Sequence, residues 1–164
     1  MKTLICFLVC MITVTVVIAQ IPQVPAGKPQ LPAPKNLKVV APPDLSITEV
    51  TLVSATGWTN DWDIKLSVTI KNNGGLKAPE SKIRAFVQDA AGSPTSWKNF
   101  TDLPVIPAID PGQSVTKEIR FFDKAWVMHK IKTINLKLKT DAAGVVTESN
   151  ENNNESSTLR ITSN

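Results

Sequence analysis

The chain has 164 residues, 42% of them apolar, and a formal net charge of +4. That length allows one domain with an ordinary hydrophobic core. The charge is mild, and lysines such as Lys65, Lys71, Lys132, Lys137 and Lys139 alternate along strand-like segments instead of forming a block, which argues against a nucleic-acid partner.

Lys2 is followed by the uncharged run Leu4–Ala19, which ends Val17-Ile18-Ala19 before Gln20. A basic start, an apolar run and small residues at the cleavage point predict a secretory signal peptide over residues 1–19. The run is shorter than the ~18–20 apolar residues of a spanning helix, so the expected product is secreted, periplasmic or held at the cell surface, and not integral to a membrane. Both cysteines, Cys6 and Cys10, lie in this segment. The remainder can form no disulfide, thiolate metal site or cysteine nucleophile. Residues 20–43 carry seven of the twelve prolines and read as an extended, polyproline-like tether.

From Asp44 to the end, residues 44–164, the pattern has period two. Leu45-Ser-Ile47-Thr opens a strand whose parity changes at Glu49-Val50, a sign of a bulge or a switch of sheet. Ile64–Lys71 alternates four apolar with four polar residues. Asn72-Asn73-Gly74-Gly75 then offers positive-φ positions for a tight reversal. Ile83–Val87 is the next strand, closed by Asp89-Ala-Ala-Gly92. The proline-interrupted stretch Trp97–Val105 reads as edge strand and loop. Asp110-Pro111-Gly112 is a turn with Gly in the left-handed position. Three further strands follow at Val115–Phe121, Ile134–Leu138 and Thr158–Ile161. The fold class predicted is all-β: a seven-stranded antiparallel β-sandwich, since period-two segments bury one face each and need a second sheet to cover it.

Four elements carry a family likeness: Pro43-Asp44-Leu45, Val68–Gly74, Ile109–Ser114 and, most specifically, Thr147-Glu148-Ser149-Asn150-Glu151-Asn152-Asn153-Asn154. Together they resemble the CARDB family, the cell-adhesion-related immunoglobulin-like domains of bacteria and archaea. The likeness spans Asp44 to about Ile161 and implies an immunoglobulin-like sandwich with a non-catalytic, surface or adhesion-associated role. One departure is the aromatic first loop, Ser54–Asp63. Another is that the domain stands here in a single copy.

Two constellations are candidate sites. In the Asp141–Asn154 stretch, Asp141, Glu148, Glu151 and the Asn carbonyls are oxygen ligands of the kind calcium takes, but their spacing matches no calcium loop. The preferred reading is that Asn side chains bond the backbone and lock the connection between the last two strands. In the first loop, the preferred reading is that Trp62 caps the sandwich end and Trp58 is partly exposed; the alternative is that Trp58 and Trp62 form a stacking platform for a sugar, with Asp61 and Asp63 accepting hydroxyl protons. Catalysis has little support: His129 is the only histidine, and no serine elbow, zinc-binding motif or phosphate loop is present. No cofactor is expected. Asn99-Phe-Thr101 and Asn154-Glu-Ser156 are glycosylation sequons.

The function expected is therefore a non-catalytic binding or adhesion module. It would present end loops Ser54–Asp63 and Asp89–Ser96, and an edge near Trp97–Val105 capable of weak self-association, to a surface protein or glycan. A carbohydrate-binding module using Trp58 and Trp62, and a spacer without a specific ligand, are the alternatives.

Overall fold

The computed structural model describes residues 39–57, 61–91, 96–123, 128 and 130–163. The expected signal peptide and all but the end of the expected tether lie outside these residues. Nine strand segments are present among them: β1 Leu45–Thr56, β2 Asp63–Asn72, β3 Ser81–Lys82, β4 Arg84–Asp89, β5 Lys98–Asn99, β6 Val105–Ile106, β7 Ser114–Phe122, β8 Thr133–Lys139 and β9 Leu159–Thr162. Six are longer than two residues; β3, β5 and β6 are two-residue pairings. No helix occurs among the described residues.

All pairing is antiparallel. One sheet has the order β1-β2-β7, a second β5-β4-β8-β9, and β3 and β6 form a small ribbon. Alternation along β2 is complete, each apolar residue buried and each intervening polar one half-exposed, which a strand covered on one face requires. β8 repeats the pattern. Ile64, Leu66, Val68 and Ile70 from the first sheet meet Ala85, Val87, Ile134, Leu136, Leu138 and Ile161 from the second in one core. Fully burying a side chain of this size contributes roughly 1.5–3 kcal/mol. The result is an all-β, antiparallel, immunoglobulin-like sandwich.

β1 shows why its parity changes. Its register against β2 shifts between Ile47 and Glu49 and again between Leu52 and Ser54. These are bulges within one sheet, not a crossing to the other. Bulges increase twist and blunt a free edge, and β1 is an edge strand.

The Asn72–Gly75 segment departs from expectation. It does not reverse the chain onto an adjacent strand, since β2 pairs with β1 and β7, and the positive-φ glycines are Gly112 and Gly144. Glycine is required at residue 74 by close approach: a Cβ there would lie 2.1 Å from the Pro42 carbonyl oxygen. The hydrogen-bonded domain thus begins before β1, with Gly75 N–H donating to Ala41 O (3.1 Å) and Asn73 N–H to Asp44 O (2.7 Å). Gly112, at φ +72°, occupies the left-handed position of the Pro-Gly turn.

The sandwich has two different ends. The residues before β1, the Asn72–Ala78 segment, the Ile109–Gln113 turn and the Thr140–Asn154 segment gather at one. The end of β1, the start of β2, the end of β4, the end of β7 and the start of β8 lie at the other.

Candidate functional site

The opposite end from the chain entry is where the sequence placed a ligand surface. Trp58 lies outside the described residues, as do Trp126 and His129. Trp62 is fully buried, as the capping role considered for it requires, and its ring is not exposed for the stacking role. Its indole Nε1–H donates to Ile131 O at 3.1 Å, and its own carbonyl accepts from Asp123 N–H at 2.8 Å. One core side chain thus ties the first loop to the β7–β8 connection, and the apolar environment leaves no ring face for a sugar. Gly57 packs directly on it, since an added Cβ would stand 2.4 Å from Trp62 Cδ2.

Asp61 is half-buried at this end. Asp63 begins β2 and is occupied: Arg120 Nε and Nη2 donate to its two carboxylate oxygens at 2.7 and 2.6 Å. The bidentate bond from Arg120 holds the Asp63 carboxyl below the usual range, against a smaller opposing effect of burial. A carboxylate so paired is a poor acceptor for a sugar hydroxyl. The loop residues expected to act together are therefore divided among core, ion pair and surface.

At the chain-entry end, the polar stretch does structural work. The Asp141 carboxylate accepts from Val145 N–H and Val146 N–H, both at 3.1 Å. Asp141 itself adopts φ +43°, a left-handed conformation that Asp tolerates. Glu148 accepts the Leu45 N–H with one carboxylate oxygen and the Asn154 Nδ2–H with the other, the latter at 3.1 Å. Glu151 accepts from Glu148 N–H at 3.1 Å. Ser149 N–H donates to Pro43 O at 2.9 Å, and Asn153 Nδ2 to Asp44 Oδ1 at 2.8 Å. Burial raises the Glu148 carboxyl above its ordinary value, opposed by the Leu45 and Asn154 hydrogen bonds and reinforced by nearby Glu151 and Asp141.

The carboxylates considered for calcium, Asp141, Glu148 and Glu151, therefore each serve N–H donors. Among the described residues no group of three or more His, Cys, Asp or Glu side chains is arranged to hold a metal. Asn154, 1% exposed with its amide on Glu148, is inaccessible for glycosylation, whereas Asn99 is exposed on β5.

Sequence reasoning did not single out Asn72 as more than a turn residue. It is fully buried, and its side chain makes four hydrogen bonds. Oδ1 accepts from Asp44 N–H (3.1 Å) and Gly74 N–H (3.0 Å); Nδ2 donates to Leu76 O (2.8 Å) and Ile109 O (3.0 Å). Its place as the last residue of a regular apolar/polar strand, in register with buried positions, was the available signal.

The CARDB family model matches residues 42–158. Among solved structures, the chain is similar to the CARDB domain of a Pyrococcus furiosus protein determined in complex with di-metal ions. The identity there is 19%, 75% of this chain and 94% of that one are covered, and the TM-score is 0.49. A domain of a Methanosarcina acetivorans protein gives 19% identity, 74% and 91% coverage, and a TM-score of 0.49. β-Glucosidase 3B from Thermotoga neapolitana, with glucose bound, gives 8% identity, 73% and 16% coverage, and a TM-score of 0.46. Among curated proteins none matches. No helix among the described residues is long and apolar enough to cross a membrane. With most of its length matched by the family model, the chain belongs to the CARDB family of adhesion-related, non-catalytic, typically extracellular domains.

Proposed function

We propose that this protein is an exported binding module that presents the β1–β2, β4–β5 and β7–β8 connections to a protein partner at the cell surface. The observation supporting this reading is the pair of bonds made by Trp62. Through Ile131 O and Asp123 N–H they brace two of the three connections against each other. Loops carried on a rigid scaffold are the usual place for recognition in such folds. In this reading residues 1–19 direct export and the proline-rich residues before Ala41 serve as the tether. The β5 edge, continuing through Trp97–Val105, is a route to weak self-association by strand addition.

The test uses the full exported chain, fluorescently labelled, on intact cells of the source. Retention that is lost after protease treatment of the cells, and lost with the Trp58→Ala/Asp61→Ala double variant, supports the reading. Retention unaffected by both treatments overturns it. Sedimentation of the chain alone between micromolar and millimolar concentration checks the edge contact.

A further inference from the structure

The outer faces of the two sheets differ in how their charges are arranged. On the β1-β2-β7 sheet, two of the outward cations are paired with acids: Lys65 with Glu118 at 3.3 Å and Arg120 with Asp63 at 2.6 Å. On the other sheet the outward residues of β4, β8 and β9 include Arg84, Lys137, Lys139 and Arg160, and no acid. Arg84 stands directly opposite Lys139 in the β4–β8 register. Like charges at opposed positions destabilise a sheet, and no ion pair among the described residues relieves either. Lys137 is paired with Glu155 at 2.7 Å, and Glu155 also stands opposite Lys139 in an isolated bridge, which leaves one acid against these four cations.

These cations form a track. Same-face positions along a strand are about 7 Å apart and neighbouring strands about 4.8 Å. Following β8 from its end to its start, the face carries the Arg84–Lys139 pair, then Lys137, then Arg160 beside Asn135. It then reaches a recess of about 320 Å³ lined by Asp89, Lys130, Lys132, Thr133 and Arg160, three cations to one acid. Lys130 is held there at φ +61°, a conformation that costs a non-glycine residue energy and so marks a constrained site. The recess falls in the size range of small-ligand clefts, about 300–1,000 Å³. Beside the middle of the track lie Phe86 and Trp97, with the Lys137 ammonium 5.6 and 5.1 Å from their ring centroids.

We propose that this basic outer face of the β5-β4-β8-β9 sheet binds a linear acidic polysaccharide. Charge complementarity calls for an anion, and the regular spacing along one strand suits a polymer carrying a negative group on successive units. The aromatic pair adds an apolar surface on which the C–H face of a sugar ring packs. Binding is driven by exposed charge and therefore weakens with salt. The surface is separate from the loop end, so the two can fail independently.

The experiment measures binding of the full chain to polygalacturonate by calorimetry at low and physiological salt. Neutral dextran and poly-glutamate serve as comparison ligands. The expected result is binding to polygalacturonate that weakens at least tenfold in the Lys139→Gln/Arg160→Gln variant and changes less than twofold in Lys65→Gln/Lys71→Gln on the opposite sheet. Thermal melting of each variant checks the fold. Lys139→Gln removes a like-charge contact and leaves the melting point unchanged or higher, and the single Arg160→Gln variant lies at an exposed position and gives an independent reading. Absence of binding at low salt, equal loss in both double variants, or equal affinity for poly-glutamate would each overturn the proposal. The Trp58→Ala/Asp61→Ala variant retains polygalacturonate binding whether or not the loop-end reading holds.

Discussion

The Glu148 carboxylate accepts the backbone N–H of Leu45, 103 residues earlier in the chain. This bond joins the segment between β8 and β9, on one sheet, to the first residue of β1 on the other. With Ser149 on Pro43 and Asn153 on Asp44, it closes the chain-entry end of the sandwich. Removing the carboxylate in Glu148→Ala leaves the Leu45 N–H and the Asn154 amide without their acceptor, and is expected to cost about 2–3 kcal/mol in urea unfolding.

The same group gives a pH dependence with a defined sign. Burial raises its folded-state value above the ordinary 4.5, so the folded protein holds the proton more tightly than the unfolded chain. Its contribution to stability is therefore greatest at low pH and is lost as pH rises from about 4.5 through the raised value. Glu148→Gln is expected to flatten that part of the curve. Its amide can keep Leu45 as a donor and donate to Asn154 Oδ1, which has no partner among the described residues, if the Asn154 amide turns over. Chelator is expected to leave the melting midpoint unchanged, because the carboxylates of this segment already serve N–H donors.

Asn72 is the second fastening at this end. Asn72→Ala removes four hydrogen bonds at a fully buried position and is expected to destabilise by about 3 kcal/mol. Asn72→Asp retains the acceptor for Asp44 and Gly74 but sets a carboxylate against the carbonyls of Leu76 and Ile109. Calorimetric melting should find it no more stable than the alanine variant.

At the loop end, Trp62→Phe keeps most of the buried ring and loses only the bond to Ile131. An expected loss of about 1–2 kcal/mol contrasts with about 3–5 kcal/mol for Trp62→Ala. Gly57→Ala forces a methyl group into the fixed indole and is expected to cost about 1–3 kcal/mol. Equilibrium unfolding of the three variants checks the order.

The Asp63–Arg120 pair has good bidentate geometry but lies at the surface, with the arginine side chain 63% exposed. Solvent screening limits such a pair, so Arg120→Ala is expected to lower stability only slightly. Melting at low and high salt should show the difference shrinking as salt rises.

Much of the fold was legible because its signals are local. The alternation of β2 and β8 records one buried face, and the Pro-Gly turn at Gly112 states its own backbone geometry. The acidic, Asn-rich segment was legible as a lock and as a family mark. Its partners were not, because Leu45, Pro43 and Asp44 lie about a hundred residues away and nothing near Glu148 points to them. Trp62 left two readings open for the same reason. Its neighbours in sequence are Asp61 and Asp63, and a polar surrounding in the chain looks like exposure, whereas its surroundings in space are Gly57, Ile131 and the core.

By itself the sequence determined an all-β sandwich and the residue types that close it, since period-two burial and turn chemistry act over a few residues. Only the tertiary structure decided which carboxylates are spent on backbone donors and that Trp62 is core. It also decided that Arg84 faces Lys139 across the β4–β8 register. Those outcomes depend on strand register and on which sheet each strand joins, and register is a relation between distant segments that neither one encodes alone.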